Sequence, residues 1–248
     1  MARAARRYQE VAEGLRKLIL QGGYSPGDRI LTERQIAEHL RVGRSAAREA
    51  ILLMEIEGVL EVRKGSGIYL KDVGTTAAPK GDANDIGPFE LIQARQLLES
   101  AVAGLAASTV TKADIMRMRD ALELERSSIA TGAQDYSGDE LFHRLIAEAT
   151  QNSVLVDTVN ELWEKREGSR MWARLHERIF VTDYRLRWLD DHSAILAALQ
   201  RRDPEAARRA MWQHLENVRV TLLELSDDED PGFDGYLFDS REVSKVFR

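Results

Sequence analysis

The chain contains no cysteine. Disulfides and thiolate zinc sites are therefore excluded, and nothing points to export. It has no run of about 18 apolar residues, so no transmembrane helix is expected. The first residues, MARAARRYQE, lack the apolar core of a signal peptide. These absences predict a cytoplasmic protein. Internal repeats are missing too, and beyond residue 72 no alternating β pattern is found. What remains is 248 residues with 44% hydrophobic and 31% charged side chains, the composition of a globular protein with one large or two smaller domains. The net charge of −6 is unevenly spread. Residues 1–72 hold 13 Lys and Arg against 10 Asp and Glu, and the rest hold 22 against 31. A basic head on an acidic body suggests nucleic acid as a partner of the head.

The head has a readable order. RYQEVAEGLRKLILQGG sets Val11, Leu15, Leu18 and Ile19 on one helical face, stopped by Gly22-Gly23. A Pro26-Gly27 turn follows. Thr32 with Gln35 three residues on forms a capping box for a short helix ending at Leu40. After Arg41-Val42-Gly43 a second helix runs RSAAREAILLMEIEG, which makes a helix-turn-helix. VLEVRKGSGIYL then reads as two short strands around a Lys64–Gly67 loop, giving a winged helix-turn-helix. Arg44, Ser45 and Arg48 fall at the end of the second helix that enters the major groove in this motif. Arginine forks suit guanine edges. Ala46 and Ala47 are small enough to permit close approach. Arg34, Arg63 and Lys64 suit phosphates, and Gly65 and Gly67 let the wing backbone lie near DNA. The competing reading is a small helical domain with solvated arginines.

Residues 73–88 form a Gly-, Pro-, Ala- and Asp-rich linker. Residues 89–226 are predicted all-helical, an antiparallel bundle. Leu91, Ala94, Leu98, Val102 and Leu105 make one stripe; Thr111 caps the next helix; VLVDTVNELWEKREGSRMWARL is read as a single helix; and Asp203-Pro204 opens the last. The tail, 227–248, is acidic and then aromatic, a solvated extension or a segment whose Tyr236, Leu237 and Phe238 dock.

Within the bundle, Asp139 and His143 are one helical turn apart. Taken alone they read as a surface pair. His192 and His214 stand on two later helices amid Ile195, Leu196, Met211 and Leu215, which should face the interior. Three helices can thus aim one carboxylate and three imidazoles at a common centre, as helical bundles do for metals. By ligand type the site suits one divalent transition metal per chain, zinc first, with nickel or manganese as alternatives. The alternative is a set of hydrogen-bonded core histidines. His39 and His176 read as ordinary.

TERQIAEHLRVGRSAAREAILLMEIEGVLEVRKGSGIYL resembles the DNA-binding domain of GntR-type transcription regulators. That resemblance implies operator contacts by Arg34, Arg44, Ser45, Arg48 and Gly65. Gly43 stands where the family usually has Ser or Thr, which removes a hydroxyl contact to phosphate. The body resembles the ligand-sensing FCD domain of the FadR subgroup, a bundle of six or seven helices. Asp139, His143, His192 and His214 match that subgroup's metal motif, and Arg95 matches an arginine that faces its pocket. GPFELIQARQLLES, TQNS and DDHSAILAALQRRDPEAARRAMWQHLENV are similar to the hexuronate-utilisation repressors. The implied effector is glucuronate, galacturonate, fructuronate or tagaturonate. Trp163 is expected to cover a sugar face and Asn217 to meet a hydroxyl. One head contacts too few base pairs for an operator, so the body is expected to form a homodimer that sets two heads about 34 Å apart. No enzymatic activity is expected. The alternative is a metal-dependent hydrolase fused to a DNA-binding head, with Glu148 or Glu140 as general base.

Overall fold

Local capping chemistry places most of the helices. In the computed structural model, residues 6–63, 66–72, 85–133, 136–177 and 184–225 are described. Lys64, Gly65, linker residues 73–84 and the tail from 226 lie outside them. The chain divides into two compact units, each treated by itself.

The first unit spans the N-terminal residues through Glu90, with 168–178 and the end of the last helix from Leu223. Helix α1 (Arg7–Gln21) stops where Gly22 caps it and Gly23 turns left-handed at φ 67°. Helix α2 (Glu33–Leu40) begins with the Thr32/Gln35 capping box, both halves of which are formed. Arg41, at φ 54°, makes the left-handed turn into α3 (Arg44–Ile56). Gly43 N-caps α3 without a side-chain bond. Strands β1 (Leu60–Arg63) and β2 (Gly67–Leu70) pair antiparallel, with Leu60 opposite Leu70 and Val62 opposite Ile68. Arg29 bridges to Tyr69 and extends the wing's sheet. Leu15, Ile36, Leu52, Met54, Leu60 and Leu70 are fully buried and form the core. Each such side chain contributes about 1.5–3 kcal/mol by leaving water. Ala46 and Ala47, read as small enough to permit close approach to DNA, also belong to this core and are wholly buried.

The segment after the linker is tied down from several sides. Tyr8 Oη donates to the Asp85 carbonyl at 2.9 Å, and Ser169 Oγ donates to Asp85 Oδ1 and to the Ile86 carbonyl. Glu49 on α3 accepts from the backbone N–H groups of Phe89 (2.9 Å) and Glu90 (3.2 Å). A carboxyl oxygen there satisfies two donors that a helix start leaves unpaired.

The second unit covers Leu91–Glu167 and Ile179–Leu222. It holds α4 (Pro88–Thr109) from Leu91 on, α5 (Lys112–Ala130), α6 (Ser137–Ala149), α7 (Ser153–Glu167), α9 (Tyr184–Gln200) and α10 (Pro204–Leu225) up to Leu222. Thr111 caps α5 reciprocally with Asp114, and Asp203 Oδ1 accepts from Ala206 N to open α10. Phe142, Trp163, Ile195, Leu199, Met211 and Leu215 centre the core. Two expectations need correction. The single helix read across residues 154–175 is broken at Gly168-Ser169, because Ser169 Oγ accepts from Trp172 N and starts a separate α8 (Arg170–Glu177) in the first unit. On α4, Leu98 and Leu105 are exposed while Arg95, Gln96, Glu99 and Ser100 are buried. That helix turns a polar face inward, against the apolar stripe, to serve the site described next.

Candidate metal centre and nucleic-acid interface

Asp139 and His143 lie in the first turns of α6, and both are buried. Gly138 permits this placement. A Cβ there would stand 2.8 Å from Glu125 Cα on α5, closer than packed atoms allow. The N-terminus of α6 can therefore press against α5. His192 on α9 and His214 on α10 complete the group, and the four ligand atoms lie within 4.8 Å of one another. His192 Nε2 is 3.3 Å from His143 Nε2 and 3.1 Å from His214 Nε2. Asp139 Oδ1 is 3.4 Å and 3.5 Å from the Nε2 atoms of His143 and His192. Ligands about 2.1 Å from an ion sit about 2.9–3.4 Å from their neighbours in octahedral or tetrahedral arrays. The four spacings of 3.1–3.5 Å lie within or just above that range.

The outer nitrogens explain the orientation. His143 Nδ1 donates to Glu99, and His192 Nδ1 donates to Glu125 at 2.8 Å. Carboxylates only accept, so these bonds put the ring protons on Nδ1 and turn the Nε2 lone pairs inward. His214 Nδ1 is 3.5 Å from Asp191 Oδ2, a looser contact. Burial pushes His214 down to about 3, and the charge on His192 adds to the fall. Burial also acts against a charged His192, but its bond to Glu125 prevails and raises it. Glu99 is held at about 2: burial opposes ionisation, and Arg95 and His143 overcome it. With the histidines neutral, as ligation requires, the four carboxylates of Glu99, Glu125, Asp139 and Asp191 against the guanidiniums of Arg95 and Arg166 would leave two negative charges, which a divalent cation would neutralise. The residues present fit a metal of the class expected.

Glu99, Glu125 and Asp191 escaped the sequence reading. Arg95 and Glu99 were legible as an i,i+4 pair, and Glu125 as a carboxylate in register with Met118, Ala121 and Leu122. Arg95 uses Nε (2.6 Å) and Nη2 (3.4 Å) on Glu99, and its guanidinium lies 4.1 Å over the Trp163 ring. Trp163 is buried with its ring 5.5 Å from that of His143. Asn217 donates to both oxygens of Asp191, and its own Oδ1 accepts from Gln213. Its amide thus positions Asp191 behind His214. Glu148 pairs with Arg117 and Arg144, and Glu140 is half-buried, its carboxyl raised by burial and by Glu167.

In the first unit Arg34 is exposed beside Glu38. Arg44, Ser45 and Arg48 are buried, where sequence reading had them at an open helix end. Arg44 Nε and Arg48 Nη2 both donate to Glu33 Oε1, at 2.9 and 2.8 Å, and Arg48 Nη1 donates to the Leu223 carbonyl. Burial works against ionised Glu33, and the two arginines outweigh it. The polar side chains at the start of the reading helix are buried in this structure. The wing residues Lys64 and Gly65 lie outside the described residues.

A winged helix-turn-helix joined to a helical bundle with a buried Asp/His cluster is the architecture of a DNA-binding transcription regulator with a sensing domain. Residues 7–70 match the family described as bacterial regulatory proteins, gntR family, and residues 90–217 match the FCD domain. The chain belongs to the GntR family, in its FadR subgroup. It is 51% identical to the Uxu operon transcriptional regulator of Escherichia coli K12, over 98% of this chain and 97% of that one. It is 44% identical to the Exu regulon transcriptional regulator of the same strain, over 96% and 93%. Among solved structures, the Listeria monocytogenes regulator Lar shares the fold at 15% identity, with a TM-score of 0.50 over 90% of this chain and 100% of that one. No helix among the described residues is long and apolar enough to cross a membrane.

Proposed function

We propose that this regulator is a homodimeric, metal-containing repressor of hexuronate-catabolism genes. Its reading helix takes operator bases through Arg44 and Arg48, with Ser45, Arg34, Lys64 and Gly65 on the backbone. Asp139, His143, His192 and His214 would hold one divalent ion, zinc by ligand type, which supplies Lewis-acid affinity for effector oxygens. Arg95 helps hold the effector's carboxylate. The observation that carries the reading is the convergence of three Nε2 atoms and one carboxylate, with His143 and His192 each hydrogen-bonded through Nδ1 to a buried acid. The names of the Uxu and Exu relatives support the choice of effector. An effector regulates only if it binds the DNA-competent and incompetent states unequally. Operator fragments selected from genomic DNA by the purified protein would be titrated by fluorescence anisotropy. Glucuronate, galacturonate, fructuronate or tagaturonate should shift affinity about tenfold or more, within the usual range of allosteric coupling, and chelation should abolish the shift. If gluconate or citrate shifts it and the four acids do not, the hexuronate assignment fails. If no carboxylate does, the sensing role fails.

A further inference from the structure

The apolar stripe of α4 is turned away from its own bundle. Leu98 and Leu105 are 40% and 44% exposed, Ala101 is exposed, and Ala94 is half-buried. Arg95 and Glu99 are buried and paired with each other, and from Ser100 to Thr109 the helix has no charged residue. None of α4's exposed residues is therefore charged. Helix α5 differs: its exposed Met116 and Leu124 stand among exposed Arg117, Arg119, Asp120, Glu123 and Arg126. Single apolar side chains among charges are ordinary surface, whereas a continuous uncharged strip marks a surface that something covers. The spacing says what. Ala94, Leu98, Ala101 and Leu105 follow one another by four, three and four residues, the repeat of a helix–helix seam. Small and large residues alternate along it. Laid antiparallel on a second copy, the strip sets each leucine against an alanine: Leu98 opposite the partner's Ala101, and Leu105 opposite the partner's Ala94. A two-fold axis repeats both pairs, so one pattern closes four layers. Large against small fills the space without voids or clashes, and alanine lets the helix axes approach to about 8 Å.

We infer that the outer face of α4 is the surface on which two copies of this chain pair, antiparallel and about a two-fold axis. This rests on the reading of the protein as a homodimer and names the surface that makes it one. The seam from Ala94 to Leu105 is roughly 17 Å long and 10 Å wide, short of the roughly 800 Å² per chain that a stable dimer buries. Helix α10 supplies the rest. It lies beside α4, where Gln96 Nε2 donates to the Trp212 carbonyl at 3.2 Å and a Cβ on Gly104 would stand 3.3 Å from the Pro204 carbonyl oxygen. Its exposed residues include Glu205, Arg209 and Gln213, which suit the polar rim of such an interface. The chain's own Tyr236-Leu237-Phe238 or a foreign apolar segment could also cover leucines, but neither calls for a strip complementary to its own reverse. The division of labour on α4 then has a reason. Glu99, next to Leu98, turns inward to His143, while Leu98 turns outward to the second copy.

The test is gel filtration with light scattering on the full-length protein across the micromolar range. The parent should have the mass of a dimer. Leu98→Glu and Leu105→Glu should each raise the dimer dissociation constant about 100-fold or more, because two-fold symmetry removes the apolar contact and buries a charge twice. Both should run as monomers with the circular dichroism of the parent. Met116→Glu and Leu124→Glu, comparably exposed on α5, should stay dimeric. The chain has no cysteine, so Ala94→Cys/Leu105→Cys adds the only thiols. Mild oxidation should join that variant into covalent dimers and leave Met116→Cys/Leu124→Cys unlinked. A dimeric parent whose Leu98→Glu and Leu105→Glu variants stay dimeric would overturn the inference and leave the two-headed reading standing. Equal dissociation by the α5 variants would overturn it too. So would a dimer that survives both α4 changes and is lost on deletion of residues 226–248, which would assign the contact to the tail. A parent that is monomeric throughout would sink the inference and the two-headed reading together. Should the glutamate variants fail to fold, the absence of covalent dimers from Ala94→Cys/Leu105→Cys overturns the inference.

Discussion

Glu125→Gln tests the metal centre without touching a ligand. Glu125 and His192 are both buried, and their contact is 2.8 Å. Glutamine's carbonyl can still accept from Nδ1–H, so the tautomer persists while the charge behind the ring is lost. Partners of this kind are worth roughly 10- to 100-fold in metal affinity, which converts to about 1.4–2.7 kcal/mol. At free zinc well above both dissociation constants, metal-induced stabilisation should fall by the same amount. For a chain of this size that shrinks the zinc-induced rise in Tm by roughly 3–10 °C. Asp191→Asn is the internal control. Its contact to His214 is 3.5 Å and Asp191 is only half-buried, so its effect should be smaller. Zinc competition against a chromophoric chelator gives the affinities, and calorimetric melting with and without zinc gives the stabilities. If Glu125→Gln holds zinc as tightly as the parent, or if Asp191→Asn is the more damaging change, the argument that these acids aim and charge the histidines is wrong.

Gly138→Ala should destabilise the protein by about 1–3 kcal/mol through overpacking and should also weaken zinc, since the new Cβ meets α5 backbone rather than a movable side chain; an unchanged urea midpoint would refute the close-approach argument. Glu49 is raised to about 8 by burial, against the backbone N–H groups of Glu90 and Phe89 that favour its charge. The folded protein therefore keeps a proton that the unfolded chain releases near 4.5, and stability should decline as pH rises from about 4.5 to 8. Glu49→Gln should flatten that slope in denaturation curves taken across the window, and a slope equal to the parent's would assign the dependence to another group. Light scattering at micromolar concentration should give the mass of a dimer; a monomer with and without operator would refute the two-headed reading.

The local elements were legible because their causes are local. The Thr32 and Thr111 caps, the Gly22-Gly23 stop and the Asp203-Pro204 start act within a few residues, so sequence alone located those boundaries. The Asp139/His143 spacing and the two later histidines amid apolar neighbours were enough to nominate the cluster, because helical periodicity decides which side chains share a face. Periodicity failed where a polar face turned inward. Leu98 and Leu105 were placed in the core, yet α4 buries Arg95 and Glu99 instead, a preference created only when His143 and Trp163 arrive from other helices. Asn217, expected to meet an effector hydroxyl, donates to Asp191, a partner 26 residues away that its own helix pattern does not announce. Arg44 and Arg48 were read as open, yet Glu33 sits between them, from a helix whose angle no linear pattern states. The acids behind the histidines, the arginine over Trp163 and the burial of Arg44 and Arg48 are decided by where separate helices cross. That is a property of packed side-chain volumes and buried charges matched across the chain, which tertiary structure alone brings within hydrogen-bonding distance.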